Sequence, residues 1–196
     1  MNIKQTSFCT FILEFKGGSV VVDEVKQSKG DIQLYSVKNS SYLNYNADGA
    51  TLNIQNAGEY EVKDIFINSR KNKDTESYVY NISSEGITVG VISFVNELSA
   101  IPEDFFENTD ILIIGAGGGP LFTAKDANSL LNKLSPSIAI VFGFKEQAGK
   151  DLQNTLDSIE DVKKEISGLT VLDKSLKLDK DYVNGIENTI YHAFDI

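Results

Sequence analysis

Short runs of alternating apolar and polar residues fill the first half of the chain. β-Branched and aromatic residues recur within each run, and Gly, Asn, Asp and Ser separate the runs, which is typical of β-strands. The paired glycines of Lys16-Gly17-Gly18-Ser19 indicate a hairpin turn. We therefore predict a β-meander, with strands at Ile12 to Phe15, Ser19 to Asp23, Ile32 to Ser36, Thr51 to Ile54, Gly58 to Val62, Asp64 to Asn68 and Tyr78 to Ile82.

From Ile87 onward the pattern changes, because strand-like and helix-like segments alternate. Such alternation indicates βαβ units around a buried sheet. Thr123 is a suitable N-cap, with Asp126 three residues later. We predict strands at Thr88 to Phe94, Ile111 to Ile114, Ile138 to Phe142, Thr170 to Leu172 and Thr189 to Phe194, and helical segments at Pro102 to Asn108, Thr123 to Leu134 and Asp151 to Ile166.

Length and composition indicate one globular domain over residues 1–196. The chain is 41% hydrophobic and 10% aromatic, and it contains only 3 Pro. Its longest apolar runs, such as Ile138 to Phe142, are strand-sized, and no signal-peptide pattern precedes Glu14. We expect a cytoplasmic protein that does not cross a membrane.

The formal net charge of -10 argues against binding to nucleic acid or to an anionic membrane surface. The basic residues Arg70, Lys71 and Lys73 share their segment with acidic ones, so they indicate a solvated loop. The single cysteine, Cys9, has no disulfide or metal-binding partner and is predicted to be a small buried side chain.

Four segments together resemble one branch of a known superfamily. The similarity is to the ascorbate 6-phosphate lactonase-like branch of the metallo-β-lactamase superfamily, and it covers about residues 1–150. It implies a four-layer αββα sandwich, an α/β (α+β) fold. The segments are Ser19 to Asp23, Gly58 to Val62 with Ile65 to Ile67, Asp110 to Ile114 with Gly117 to Gly119 and Ala124 to Ala127, and Pro136 to Phe142.

The chemistry of that superfamily depends on a His-x-His-x-Asp-His loop and on further His and Asp ligands, which hold zinc and activate a water. The resemblance places these ligand positions on residues that mostly cannot bind zinc. Asp23 alone keeps a suitable side chain. The other positions fall on Phe8, Val37, Asn39, Ser41, Tyr42, Phe94 and Gly143.

The histidine count supports the same conclusion without any alignment. The chain has one histidine, His192, whereas a catalytic zinc site takes three or more ligands with His usually among them. His192 falls in an apolar-alternating segment, so we expect a structural role for it. We predict no catalytic residue, no metal and no cofactor.

The replacements predict an apolar cluster where a charged cleft would otherwise lie. Phe8, Val37, Tyr42 and Phe94 would either fill this space as core or expose a patch for a partner or an apolar ligand, and filling is favoured. The sequence thus favours a non-catalytic binding or scaffold protein whose partner is another protein or a second copy. An alternative is a metal-dependent hydrolase of the lactonase or phosphodiesterase class, with an atypical ligand set around Asp23.

A glycine loop offers a further alternative. The segment Gly115-Ala116-Gly117-Gly118-Gly119 fits a dinucleotide fingerprint poorly, because Pro120 follows it and no acidic residue ends a later strand at the expected spacing. A tight turn explains it better. Exposed amides at Gly117, Gly118 and Gly119 could still hold a small anion or a nucleotide phosphate. The chain contains no Gly-x-Ser-x-Gly motif, so its sequence does not indicate a serine hydrolase.

Overall fold

The structure is a computed structural model that describes residues 1–38, 40–45, 49–73 and 75–196. These residues form two β-sheets and four α-helices. The strands are β1 (Asn2–Gln5), β2 (Phe11–Glu14), β3 (Ser19–Val22), β4 (Ile32–Leu34), β5 (Leu52–Ile54), β6 (Gly58–Val62), β7 (Ile65–Lys71), β8 (Tyr78–Ser84), β9 (Ile87–Ile92), β10 (Ile111–Gly115), β11 (Ile138–Phe142), β12 (Thr170–Leu172), β13 (Ser175–Lys177) and β14 (Ile190–Phe194). The helices are α1 (Ala124–Leu134), α2 (Lys150–Gln153), α3 (Ile159–Glu165) and α4 (Lys180–Asn184).

The six-stranded sheet has the order β13-β1-β2-β3-β4-β5, and the eight-stranded sheet has the order β12-β14-β11-β10-β9-β8-β7-β6. In the first, β13, β1, β2 and β3 pair antiparallel, while β3, β4 and β5 pair parallel. In the second, β6 to β9 form an antiparallel meander, and β9, β10, β11, β14 and β12 pair parallel.

The prediction of one meander across the first half is therefore wrong. The predicted strands exist, but they divide between the two sheets, and two of the pairings are parallel. Alternation of apolar and polar residues identifies a strand but not its neighbour. The connections from β3 to β4 and from β4 to β5 are longer than hairpin turns, which agrees with the parallel pairing.

Two apolar clusters hold the layers together. The larger cluster lies between the sheets, where the rings of Phe11 and Phe142 meet edge to face at a centroid distance of 5.1 Å. The smaller cluster covers the opposite face of the parallel strands, where Leu131 of α1 and Val162 of α3 pack. Five-residue strands such as β10 are buried on both faces, which explains their continuous apolar sequence.

Helix α1 begins as its sequence indicates. The amide of Asp126 donates to the Thr123 hydroxyl at 3.2 Å, so Thr123 is the N-cap. The segment predicted as helical near Pro102 is a short 3₁₀ turn at Glu103–Phe106. None of the helices formed by the described residues is long and apolar enough to cross a membrane.

The prediction of one helix over Asp151 to Ile166 is wrong. Helix α2 ends at Gln153, and α3 begins after the N-cap Ser158, whose hydroxyl accepts from the Asp161 amide at 3.2 Å. The apolar residues of this segment are buried, but in two different clusters. Leu152 packs between the sheets, and Val162 packs on the outer face of the eight-stranded sheet. A periodic stripe therefore does not guarantee an unbroken helix.

The hairpin at Gly17-Gly18 is confirmed, but for a different reason than the one predicted. The Phe15 amide donates to the Gly18 carbonyl at 2.8 Å, and β2 and β3 pair antiparallel. Neither glycine has a positive φ. A side chain at Gly17 would come within 2.3 Å of the Lys63 carbonyl oxygen, so close backbone approach is what requires glycine here.

Candidate functional site

At one edge of the sandwich, residues that follow strands adopt unusual backbone conformations. Phe94 follows β9 with φ 36°, and Gly143 follows β11 with φ 92°. Asp23, directly after β3 of the other sheet, has φ 50°. A positive φ costs a residue with a Cβ about 1 kcal/mol, and such residues concentrate at functional sites. Lys63, Asp64, Glu85 and Ser135 also have positive φ, but Asp23 and Phe94 are the two such residues that the resemblance assigns to a site.

Three aromatic rings meet at this edge, and we call Phe8, Tyr42 and Phe94 the aromatic cluster. Phe8 and Phe94 lie edge to face with centroids 6.4 Å apart, and Tyr42 stacks on Phe94 with centroids 6.4 Å apart and ring planes 7° apart. Phe8 is 6% exposed and Phe94 is 9% exposed, whereas Tyr42 is 40% exposed. The cluster is thus closed on its inner side and open to solvent on its outer side.

Gly143 lies beside this cluster and has no room for a side chain. A Cβ at this position would be 3.7 Å from Cε2 of Phe8 and only 2.1 Å from Cδ1 of Leu121. The Gly143 amide donates to Oε1 of Gln147 at 3.0 Å. Its φ of 92° also favours glycine. A histidine would therefore require both the backbone and Leu121 to move.

The other predicted site residues lie around the cluster. Val37 forms an isolated bridge with Ser77, and its carbonyl accepts from the Tyr45 hydroxyl at 2.8 Å. Ser41 is exposed and adjoins Tyr42. Asn39 lies outside the described residues. Tyr45 was not predicted, since nothing in its local sequence distinguishes it from a core residue.

Asp23 is the one carboxylate that the resemblance retains, and it is fully buried. Its two oxygens accept from the amide of Ser36 at 2.7 Å and from the Ser36 hydroxyl at 2.6 Å. Its carbonyl accepts from the Thr10 hydroxyl at 2.8 Å and from Sγ of Cys9 at 3.6 Å. We call Cys9, Thr10, Asp23 and Ser36 the Asp23 pocket. These bonds tie β3 to the loops beside it.

Burial controls the ionisation of this pocket. It raises the pKa of Asp23 to about 6, although the Ser36 hydrogen bonds act in the opposite direction. Burial also raises the pKa of the Cys9 thiol, and the negative charge of Asp23 adds to that effect. A thiol with a raised pKa stays protonated at neutral pH and is a poor nucleophile and metal ligand. The prediction that Cys9 is buried is confirmed.

These residues do not fit a catalytic zinc ion. Zinc needs three or more N, O or S ligands, and within the described ranges no group of three or more His, Cys, Asp or Glu side chains could hold a metal. Both oxygens of Asp23 are engaged by Ser36, and the cluster places two phenyl rings nearby instead of donor atoms.

Two hollows flank the aromatic cluster, and each is open to solvent. The first has a volume of about 240 Å³, and we call it the Phe8–Tyr42 hollow. The second has a volume of about 350 Å³ and includes Val37 and Phe94. The lining of the Phe8–Tyr42 hollow comprises Phe8, Val25, Ser41, Tyr42, Gly149, Asp151 and Leu152.

Three of these lining residues come from around α2, which no sequence signal connects to the cluster. Asp151 and Leu152 were predicted to lie in one amphipathic helix from Asp151 to Ile166, with Leu152 on its core-facing side. The early end of α2 instead brings Leu152 into the inter-sheet cluster and leaves Asp151 exposed beside it.

The glycine loop is tightly packed. Gly118 and Gly119 have φ values of 79° and 61°, and the Gly118 amide donates to the Phe122 carbonyl at 2.8 Å. A Cβ at Gly117 would lie 1.8 Å from the Gly143 carbonyl oxygen. Asp157 donates its amide to the Gly117 carbonyl at 2.7 Å, which brings its carboxylate close to Gly118. Close packing explains these glycines, and the nearby carboxylate disfavours an anion.

His192 lies in β14, opposite Ile140 in the register of the sheet. It is partly buried, and this burial lowers its pKa. Its Nδ1 atom is buried without a hydrogen-bond partner among the described residues. The ring is therefore favoured in its neutral form at neutral pH.

Comparison with known proteins identifies the fold. No protein-family model matches the chain, and no curated protein sequence matches it. A metallo-β-lactamase superfamily protein from Thermotoga maritima, assigned as a zinc-dependent hydrolase, superposes with a TM-score of 0.83 at 19% identity and full coverage of both chains.

Two other solved structures agree with this. A protein from Parabacteroides distasonis, assigned as a metal-dependent hydrolase, gives a TM-score of 0.62 at 15% identity over 98% of this chain and 91% of that one. The metallo hydrolase Igni18 from Ignicoccus hospitalis gives 0.65 at 11% identity over 91% and 100%. The chain therefore has the metallo-β-lactamase fold, and the predicted α/β sandwich is confirmed. At these identities the similarity establishes the fold alone.

Proposed function

We propose that this chain is a non-catalytic protein of the metallo-β-lactamase fold that acts as a binding or scaffold module in the cytoplasm. One observation carries the proposal. Positions that the sequence resemblance assigns to metal ligands hold Phe8, Tyr42 and Phe94, whose rings pack against one another. The packed rings occupy space that a hydrolytic centre would need to keep polar and hydrated.

The surroundings of the cluster support the same proposal. Asp23 could contribute one carboxylate to a metal, but its oxygens already accept two hydrogen bonds from Ser36. Gly143 stands where the resemblance places a ligand histidine, and Leu121 occupies the space that such a side chain would need. Restoring a zinc site would therefore take several coupled substitutions.

Binding fits the shape of this edge better than catalysis does. The outer side of the aromatic cluster is open, and the Phe8–Tyr42 hollow adjoins it. An apolar surface with a few polar groups at its rim is typical of a binding site. We propose another protein, a second copy of this chain or a small molecule as the class of partner.

Metal analysis tests the proposal directly. The protein is purified without chelator, loaded with excess zinc or manganese and then desalted. It should contain far less than one metal ion per chain, as measured by inductively coupled plasma mass spectrometry. Asp23→Ala is the matched variant, and it should give the same low metal content. Near-stoichiometric metal that is lost in Asp23→Ala would overturn the proposal.

The retained Asp23 carboxylate keeps a second candidate open, a metal-dependent hydrolase with an unusual ligand set. This hypothesis expects turnover of a lactone or a phosphodiester that a chelator abolishes and that Asp23→Asn removes. Our proposal expects neither. Hydrolysis that survives both treatments and co-purifies with the chain would also overturn the non-catalytic proposal.

A further inference from the structure

We propose that the Phe8–Tyr42 hollow binds a small aromatic amine in its protonated form, namely a single ring with a short aminoalkyl arm. This inference rests on the proposed binding function and specifies a ligand class for it. The hollow combines an aromatic wall with one carboxylate at its rim, and a ring joined to an ammonium group matches both features.

The walls of the hollow favour a ring. Phe8 and Tyr42 already pack in the aromatic cluster, and both also line the hollow, so a bound ring would join them. Val25 and Leu152 complete the apolar lining. Aromatic rings gain from edge-to-face and offset-stacked contacts beyond the burial of their area, so an aromatic ligand is favoured over an aliphatic one.

The charge at the rim favours a cation. Asp151 is the one charged side chain among the residues that line this hollow, and it is exposed. Its neighbour Lys150 is not among the lining residues. The net charge of -10 adds a general preference for cations over anions. The Ser41 hydroxyl and the Gly149 backbone provide further polar groups at the rim.

The volume limits the size of the ligand. An apolar cavity of about 150 Å³ accommodates benzene. The hollow, at about 240 Å³, therefore has space for one ring and a short chain. Phenethylamine, protonated at neutral pH, is a simple compound of this size and charge.

The test is a titration of the full chain with phenethylamine hydrochloride, followed by two-dimensional amide NMR. We expect chemical shift changes centred on Phe8, Ser41, Tyr42 and Asp151, with a dissociation constant on the order of 1 mM. The carboxylate analogue 3-phenylpropionate should bind at least about tenfold more weakly, because its charge is repelled by Asp151. Equal binding of the two compounds would overturn the inference.

Two variants and a control locate the binding. Asp151→Asn should weaken phenethylamine about threefold, because an exposed ion pair is weak, and it should leave the chain folded because this side chain is exposed. Gly149→Phe should abolish binding by occupying the hollow, since a Cβ at this position meets open space. Glu107→Gln removes an exposed carboxylate outside the lining of the hollow and should change nothing.

The outcomes separate this inference from the broader function. If phenethylamine binds equally well to Asp151→Asn, or if Gly149→Phe still binds it, the ligand assignment is wrong, whatever the metal content. If the protein carries stoichiometric metal, the non-catalytic proposal fails, even if the amine binds as expected. The two results come from different measurements, so each proposal can fail alone.

Discussion

Asp23 and Phe94 both follow a strand at the same edge of the molecule, and both adopt a positive φ despite having a side chain. They differ in what stabilises them. Asp23 is held by hydrogen bonds from Ser36, whereas Phe94 is held by ring contacts with Phe8 and Tyr42. The same strained backbone geometry is therefore supported by polar bonding at one position and by apolar packing at the other.

This difference indicates that one backbone geometry can be stabilised by two different kinds of contact. Positive φ at a residue with a Cβ persists only where its surroundings compensate for the cost. In the aromatic cluster, buried ring area provides that compensation. In the Asp23 pocket, the carboxylate serves as a hydrogen-bond acceptor that joins Ser36 to β3.

The largest effect is expected in the aromatic cluster. Phe94→Ala removes a buried ring that contacts two others, and the residual cavity should lower the free energy of unfolding by about 3 kcal/mol. Urea unfolding followed by circular dichroism measures this change. Tyr42→Ala is the matched control, because this ring is 40% exposed, and it should cost about 1 kcal/mol. Equal costs would mean that the cluster is not packed as described.

The Asp23 pocket should respond more weakly, and its response should depend on the substituting residue. Asp23→Ala leaves the buried amide and hydroxyl of Ser36 without their acceptor, which should cost about 2 kcal/mol. Asp23→Asn keeps one acceptor oxygen and removes a buried charge, so it should cost less than about 1 kcal/mol. The same unfolding measurement distinguishes them. A larger cost for Asn than for Ala would mean that the amide NH₂ group is not accommodated beside the Ser36 donors.

A pH titration distinguishes the Asp23 pocket from the aromatic cluster further, because the pocket contains a buried carboxyl and the cluster contains none. The pKa of Asp23 in the folded protein is about 6, above its ordinary value of 3.8, so folding favours the protonated carboxyl. Its contribution to stability is full below the lower value and is lost as the pH rises through the higher one. The wild-type protein should therefore gain about 1 kcal/mol relative to Asp23→Asn between pH 7 and pH 5.

The difference between the wild-type protein and Asp23→Asn isolates this carboxyl, since all other titrating groups are common to both proteins. Phe94→Ala should give a pH profile parallel to that of the wild-type protein. If the wild-type protein loses stability relative to Asp23→Asn on acidification, Asp23 is stabilised in its charged form, and its environment is more polar than the burial indicates.

Much of the fold could be predicted from local patterns. Alternation and apolar runs located most of the strands, and Thr123 identified the start of α1, because these signals act within a few residues. Strands β1 and β13 and helix α4 were missed. They are three to five residues long, and their pairing or packing depends on residues distant in the chain, such as Ile3 opposite Leu176.

The candidate site was less accessible to sequence reasoning. The resemblance indicated Phe8, Tyr42 and Phe94, and the structure brings these three rings together. It could not indicate Asp151, because the segment after α2 is bonded to a distant part of the chain, through the Asp157 amide and the Gly117 carbonyl. Contacts across long sequence separations decide which residues line a hollow, and no local pattern encodes them.

The smallest expected effect concerns the hydroxyl of Tyr42. If the cluster is held by ring packing, Tyr42→Phe should change the free energy of unfolding by no more than about 0.5 kcal/mol, because the ring that stacks on Phe94 is retained. The same urea experiment measures this change alongside Tyr42→Ala. A cost as large as that of Tyr42→Ala would mean that Tyr42 is held by its hydroxyl. The aromatic cluster would then depend on polar bonding, as the Asp23 pocket does.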